Sequence, residues 1–260
     1  MKEKIYQSLI ELTNGKYSSL MLRRLVTSSI SKNLIKSYSK VYEIDISEVS
    51  RDINSFNNLQ DFFTRQLKEG ARPVDLEGRT FVSPVDAKIE TFGTIQKNKI
   101  FTVKNKPYSL IDLLGKEEVI EKYKDGKYIV FYLSPANYHR IHSPNDGLVI
   151  RQYTLGNKSY PVNSLGLTYG KKPISKNHRL ISEVQGQNKK HFTLVKVGAM
   201  FVNSIKLTNV SDNWTKGEEV GYFGFGSTVV MLFEEGYVHF TENIQAGLNV
   251  KMGEPIASML

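Results

Sequence analysis

A chain of 260 residues, 40% hydrophobic and 11% aromatic, carries enough apolar material for one large domain or two small ones and is not a disordered composition. It has no cysteine, which excludes disulfides, thiolate metal sites and cysteine nucleophiles, and fits a reducing compartment. The formal charge of +9 gathers near the start, where Lys2, Lys4, Lys16, Arg23, Arg24, Lys32, Lys36 and Lys40 stand against Glu3 and Glu11, a placement suited to nucleic acid or to an anionic membrane.

No apolar run approaches the roughly 18 residues of a spanning helix, and no secretory pattern is present, so the chain is expected to be soluble or to lie on a surface. Residues 1–70 read as helical: Ile5, Leu9 and Leu12, then Leu22, Leu25 and Val26, then Ile30 and Leu34 recur at helical spacing with basic residues between them. That pattern serves equally a helical cap packed on the rest of the protein or a basic amphipathic face laid on a membrane. The stretch Leu59 to Leu67 is expected to continue the helix, with Gly70-Ala-Arg-Pro73 ending it.

From about residue 78 the character changes to short β-branched or aromatic runs bounded by Gly, Pro, Asn or Asp: Lys127–Leu133, Leu148–Tyr153, His191–Val197 and Val229–Phe233. One short helix is expected near Leu110 to Tyr123, with Ile111, Leu114, Val119 and Ile120 as its apolar face. The final stretch, Ile244 to Ala257, alternates apolar residues with turn glycines, as small twisted barrels do. The expected class is α+β: an N-terminal helical region, 1–75, followed by a mostly antiparallel, barrel-like β domain, 76–260, that carries the chemistry.

Three stretches hold reactive groups. Tyr222-Phe-Gly-Phe-Gly-Ser-Thr-Val-Val-Met-Leu-Phe233 places Gly226 and Ser227 directly before an apolar strand. A Gly-Ser bond held in a strained turn can be attacked by its own serine hydroxyl, because glycine tolerates backbone angles that expose its carbonyl. The resulting ester loses the Ser227 α-proton, expels the Gly226 carboxylate and leaves dehydroalanine, which hydrolyses to ammonia and a pyruvoyl group on the nitrogen of Thr228. The plain alternative is a turn. A hydrolase nucleophile elbow is excluded, since Phe225 and Val229 occupy the positions where that motif needs glycine.

Ser134-Pro-Ala-Asn-Tyr-His-Arg-Ile-His-Ser-Pro144 carries His139 and His142 between prolines, where a scaffold displays functional groups. Two histidines three apart could ligate a metal, but no third-ligand motif accompanies them. Phe81-Val-Ser-Pro-Val-Asp-Ala-Lys-Ile89 presents Asp86 just before a strand-like run; alone, such an Asp is most often a turn residue.

Taken together, these stretches resemble the phosphatidylserine decarboxylase family: its Asp element in "SPVDAKI", its paired-His element in "YHRIHSP" and its processing site in "FGFGSTVVMLF". Further matches are "DFFTRQLKEGARPVD" (61–75), "YPVN" (160–163), "VGAMFVNSI" (197–205) and "KGEEVGYF" (216–223), all in the family's order. The chain departs from the usual pattern at Ala87 and Asn203, where glycine is common, and at Phe225.

The resemblance implies a self-cleavage triad of Asp86, His142 and Ser227, and cleavage between Gly226 and Ser227 into a β chain (1–226) and an α chain (227–260). It further implies that the self-made pyruvoyl group forms a Schiff base with phosphatidylserine, without metal or pyridoxal phosphate, and that His139, with His142 as the alternative, supplies the proton that quenches the carbanion. Tyr138 and Phe225 are expected in the apolar substrate pocket. The implied partners are phosphatidylserine and an anionic membrane surface, with a peripheral position on the cytoplasmic side of the cell membrane; a homodimer is left open and nucleic acid is not expected. The competing readings are a non-catalytic β-barrel module and a pyruvoyl decarboxylase of a soluble amino acid.

Overall fold

The computed structural model describes residues 16–199, 205–224 and 227–260. The first helical positions named above (Ile5, Leu9, Leu12) and, at the other end of the molecule, Asn203, Phe225 and Gly226 lie outside these residues.

The N-terminal layer is helical but finely divided. Helices α1 (Lys16–Thr27), α2 (Ile35–Val41) and α3 (Leu59–Phe63) alternate with single 3₁₀ turns at Ser29–Leu34, Ile46–Glu48 and Ile53–Ser55. The divisions come from short polar side chains: Asp45 accepts the Ser47 N–H, Asp52 that of Asn54, and Asn58 that of Asp61, so each restarts the chain in a new turn. The continuous helix expected from Leu59 to Leu67 therefore stops at Phe63, and Leu67 instead bridges Val49. The layer has its own small core of Val26, Ile35, Ile44, Val49, Phe56, Leu59 and Phe62, against which Ala136 of the β region packs.

The strands are β1 (Thr80–Val82), β2 (Ala87–Thr94), β3 (Ile100–Val103), β4 (Lys106–Ser109), β5 (Lys127–Leu133), β6 (Arg140–His142), β7 (Gly147–Leu155), β8 (Arg179–Gln185), β9 (His191–Gly198), β10 (Ile205–Leu207), β11 (Asn213–Trp214), β12 (Glu219–Phe223), β13 (Ser227–Phe233), β14 (Val238–Phe240), β15 (Asn249–Val250) and β16 (Pro255–Met259). Eight of them form one antiparallel sheet in the order β11-β7-β8-β9-β13-β5-β2-β15. The expected barrel is corrected by this order. The outermost strands, β11 and β15, are two residues long and do not pair with each other, so the sheet is open. The C-terminal alternation that suggested a barrel belongs to β15 at that edge and to β16, which joins β1 and β14 in a separate three-stranded sheet. Alternation with turn glycines is the same signal in either case.

Both faces of the large sheet are covered. Phe131, Leu133, Val229 and Met231 lie on one side with Phe81, Ile141, Val220, Phe223 and Ile256 from the small sheets. Val130, Val195, Val197, Val230 and Leu232 lie on the other, under Leu113 and Leu114 of α4 (Leu110–Leu114), Ile120 of α5 (Glu117–Ile120), Leu167 of α6 (Ser164–Tyr169) and Ile174 of α7 (Pro173–Lys176). The single helix expected over Leu110 to Tyr123 is split between α4 and α5 by Gly115, whose φ of 68° caps α4 in the left-handed region. Every residue of β13 is buried, as its run of β-branched and large apolar residues requires, and burial of each such side chain contributes about 1.5–3 kcal/mol. This strand is the middle of the molecule, and Ser227 is its first residue.

Candidate active site

Ser227 pairs directly with Leu133 on β5 and with Gly198 on β9. Directly opposite residues share a face, so its side chain turns toward the side that holds Leu133, Ile141 and Phe223. The Ser227 hydroxyl is fully buried and has no hydrogen-bond partner among the described residues. Such a group costs about 1–3 kcal/mol, so its persistence asks for an explanation.

Strand β6 and the turn before it carry the two histidines. His142 is buried; its Nδ1 donates to the Gly217 carbonyl at 2.7 Å and its Nε2 accepts from the Tyr138 hydroxyl at 3.1 Å. Burial lowers its pKa, and the Gly217 carbonyl, Glu219 and Asp86 oppose that shift in part. Burial likewise raises the Tyr138 phenol, which stays protonated and acts as the donor in this pair. His139 is completely buried; its Nδ1 donates to the Asn137 carbonyl at 2.8 Å, and its Nε2 has no partner among the described residues. Burial, with the nearby Arg65 charge, lowers its pKa to about 3, so the ring is neutral with its lone pair on Nε2. Phe63 of α3 lies against the ring, with centroids 3.9 Å apart.

Asp86 is 5% exposed and held by a different set of partners. Arg72 Nε lies 2.9 and 3.0 Å from its two oxygens and Arg72 Nη2 lies 2.7 Å from Oδ2, while the Met252 N–H donates to Oδ1 at 2.9 Å. Arg72 also donates to Glu48 at 2.8 Å, which ties the carboxylate to the helical layer. Ala87, in place of the usual glycine, opens β2 with its methyl in the core and pairs with Val250, so the extended backbone after Asp86 needs no special freedom there.

The structure thus gives Asp86, His139 and His142 specific partners of their own, but among the described residues it does not join them to Ser227 as a linked chain. His142 joins the Asp86 segment through its backbone N–H, which donates to the Pro84 carbonyl at 2.8 Å. Neither the carboxylate nor the imidazole bonds the other, and neither bonds Ser227, among the described residues. Beside them a cavity of about 500 Å³ is lined by Asp86, Lys88, Tyr132, Ser134, Asn137 and Lys251, among others. Tyr132 and Ser134 flank Leu133, the cross-strand partner of Ser227. No group of three or more His, Asp or Glu residues able to hold a metal occurs among the described residues.

Sequence reasoning missed Arg72, Arg65 and Asn177. Arg72 stood in the stretch read as a helix stop. A single Arg or Asn carries no periodicity, and only the fold shows that Arg72 meets Asp86 and that Asn177 meets Gly198.

The fit of a pyruvoyl group at position 227 can be judged from the same geometry. Its precursor hydroxyl is buried and has no partner among the described residues, and a cavity of about 500 Å³ lies beside the Asp86 segment.

Comparison with known proteins adds a family. The family model for phosphatidylserine decarboxylase matches residues 59–258. The phosphatidylserine decarboxylase proenzyme of Geobacillus sp. (strain WCH70) is 50% identical over 252 residues, covering 97% of each chain. Proenzymes of the same name from Bacillus thuringiensis (strain Al Hakam) and Bacillus cereus (strain 03BB102) are each 46% identical over 260 residues, covering 100% of this chain and 99% of theirs.

Proposed function

The chain belongs to the phosphatidylserine decarboxylase family, and we propose that it is a carboxy-lyase that converts phosphatidylserine to phosphatidylethanolamine and carbon dioxide after cutting itself at Gly226-Ser227. The observation that carries this reading is the buried, unpartnered hydroxyl of Ser227 at the head of a fully buried central strand. Strand β13 cannot shift its register without moving its seven buried residues, which holds the hydroxyl in place.

In the maturation step, an imidazole takes the Ser227 proton, Oγ attacks the Gly226 carbonyl carbon, and the C–N bond breaks to give an ester. Removal of the Ser227 α-proton then expels the Gly226 carboxylate, and water releases ammonia from the dehydroalanine. His142 is the proposed base of this step, with Asp86 supporting its cation; general-base help contributes about 10²- to 10⁴-fold. For this, His142 must exchange its Tyr138 contact for the serine. Burial favours the neutral, proton-accepting form that the step needs.

Once formed, the pyruvoyl group supplies a ketone that condenses with the substrate amine and takes up the electron pair left by loss of carbon dioxide. His139 moves the proton. Being neutral at rest, it takes up a proton at Nε2 only during turnover and gives it to the carbon that has lost carbon dioxide. Tyr138 and the apolar wall, with Phe225 proposed beside it, keep water from that carbon. The maturation products are proposed to be chains 1–226 and 227–260, with 1–75 as the docking region and 76–260 as the catalytic one.

The docking proposal has support in the helical layer. Met21, Leu25, Ile30, Leu34, Val41 and Ile46 are exposed, and Arg23, Arg24, Lys32, Lys36 and Lys40 are exposed beside them. No helix among the described residues is long and apolar enough to cross a membrane. The exposed basic and apolar residues support the proposed peripheral position on the anionic cytoplasmic leaflet, each basic contact being worth about 1 kcal/mol. The test is incubation of purified protein with vesicles containing phosphatidylserine. Formation of phosphatidylethanolamine with matching carbon dioxide is expected, and decarboxylation of free serine but not of the lipid would favour the soluble amino-acid reading. A version lacking residues 1–40 should lose binding to anionic vesicles; undiminished binding would refute the docking surface.

A further inference from the structure

Arg65 is a buried cation that the reaction above leaves unused. It is 4% exposed, and among the described residues no carboxylate lies within ion-pair distance of it. Its Nη2 donates to the carbonyl oxygens of Ala136 at 2.8 Å and Asn137 at 3.1 Å, while Nε and Nη1 are buried without partners among the described residues. The guanidinium carbon stands 5.3 Å from the centre of the Phe62 ring, so the charge rests on an aromatic face instead of an anion. A buried charge kept without a counter-ion is costly, and its presence points to a task.

The Asn137 carbonyl is the link. It accepts from Arg65 Nη2 and also, at 2.8 Å, from His139 Nδ1. A carbonyl can only accept, so the neutral imidazole must carry its proton on Nδ1. Phe63 lies on the face of the ring, and the His139 backbone carbonyl accepts from the Phe223 N–H of β12. The next charge along the chain, Arg140, is neutralised by Glu219 at 2.7 Å. Arg65, which has no ion-pair partner among the described residues, is thus a charge that bears on this ring, although Asp86 and Glu48 act on it from farther away.

We propose that Arg65 is a positioning residue for His139: through the shared Asn137 carbonyl it fixes the Nδ1–H tautomer, and by its charge it keeps the ring unprotonated, with the Nε2 lone pair ready. The assignment rests on His139 as the proton carrier of the proposed reaction. It also gives the helical layer a part in the chemistry, because α3 and the residues just after it supply both Phe63 and Arg65. Acid is the challenge that the guanidinium resists.

The test uses the processed full-length enzyme and two variants, with the His139 ring nitrogens followed by NMR across pH alongside the pH profile of kcat on phosphatidylserine vesicles. Arg65→Gln keeps donors for the two carbonyls but removes the charge; the His139 midpoint should rise by about one pH unit, and the acid limb of kcat should rise with it. Arg65→Lys keeps the charge, so its midpoint should stay close to that of the parent. A Gln variant with the parental titration, or a Lys variant shifted as far as the Gln one, would overturn the assignment. If instead His139→Ala kept its turnover while the NMR shift in Arg65→Gln was as expected, the catalytic role of His139 would fail and the Arg65 link would stand.

Discussion

The carboxamide of Asn177 donates at 2.8 Å to the carbonyl oxygen of Gly198, the residue paired directly across from Ser227. The same side chain bonds the Tyr160 N–H at 2.9 Å and the Tyr160 carbonyl at 2.8 Å, and it is completely buried. One side chain thereby pins the "YPVN" segment to the strand beside the cleavage position. Asn177→Ala would leave three backbone groups unpaired in the core, costing about 2–4 kcal/mol. The expected outcome is a lower denaturation midpoint together with slower conversion of precursor to fragments. Wild-type processing at unchanged stability would show that the link is idle.

Asp86 depends on Arg72 in the same way. Removing one partner of a buried ion pair costs about 3–5 kcal/mol, because the other charge is left in the core. Arg72→Met is expected to destabilise the protein by that order and to impair processing through loss of a placed carboxylate. Arg72→Met with Asp86→Asn should recover part of the stability without recovering cleavage. Chemical denaturation and gel analysis of both variants check this.

The two histidines should separate by stage. His142→Ala is expected to remain a single chain, since the base for Ser227 is gone. His139→Ala should still be cleaved but turn over slowly, by about 10²-fold or more. Because burial lowers the His142 pKa, maturation of the parent should persist below pH 6.5, the ordinary value for a free imidazole, and fail only at lower pH. Loss of maturation already above pH 6.5 would contradict the direction of that shift.

A second buried cation lies outside the site. Lys196, in β9, is completely buried, donates to the Ser182 hydroxyl at 2.6 Å and lies 5.3 Å from the Trp214 ring centre. Desolvation lowers its pKa from 10.5 to about 7. Between those values the unfolded chain holds a proton that the folded chain releases, so the parent gains stability as pH rises from about 7 toward 10.5 and loses it as pH falls. Lys196→Met should be more stable at pH 7 by roughly 2–4 kcal/mol, allowing for the lost Ser182 bond, and its stability should depend less on pH across that window. Equal slopes in parent and variant would contradict this.

Much of the architecture was legible because apolar runs declare strands. Lys127–Leu133 coincides with β5, and the runs at 148–153, 191–197 and 229–233 fall inside β7, β9 and β13. What periodicity could not convey was whether the final strands close on the first ones: two-residue edges such as β11 and β15 leave almost no pattern in a sequence. Helix ends were misread for a similar reason, since Asp45, Asp52 and Asn58 interrupt the apolar spacing only locally. For the site, motif resemblance brought forward Asp86, His139, His142 and Ser227. Their partners Arg72, Arg65 and Gly217 are contacts across the fold, which a linear reading does not contain.

The most direct measurement is the intact mass of the purified, active protein under denaturing conditions, together with that of Ser227→Ala. The account predicts two chains for the parent, one ending at Gly226 and one beginning at position 227 with a pyruvoyl group in place of serine, and a single inactive chain for the variant. Active parent protein with one continuous chain and an unconverted Ser227 would contradict it.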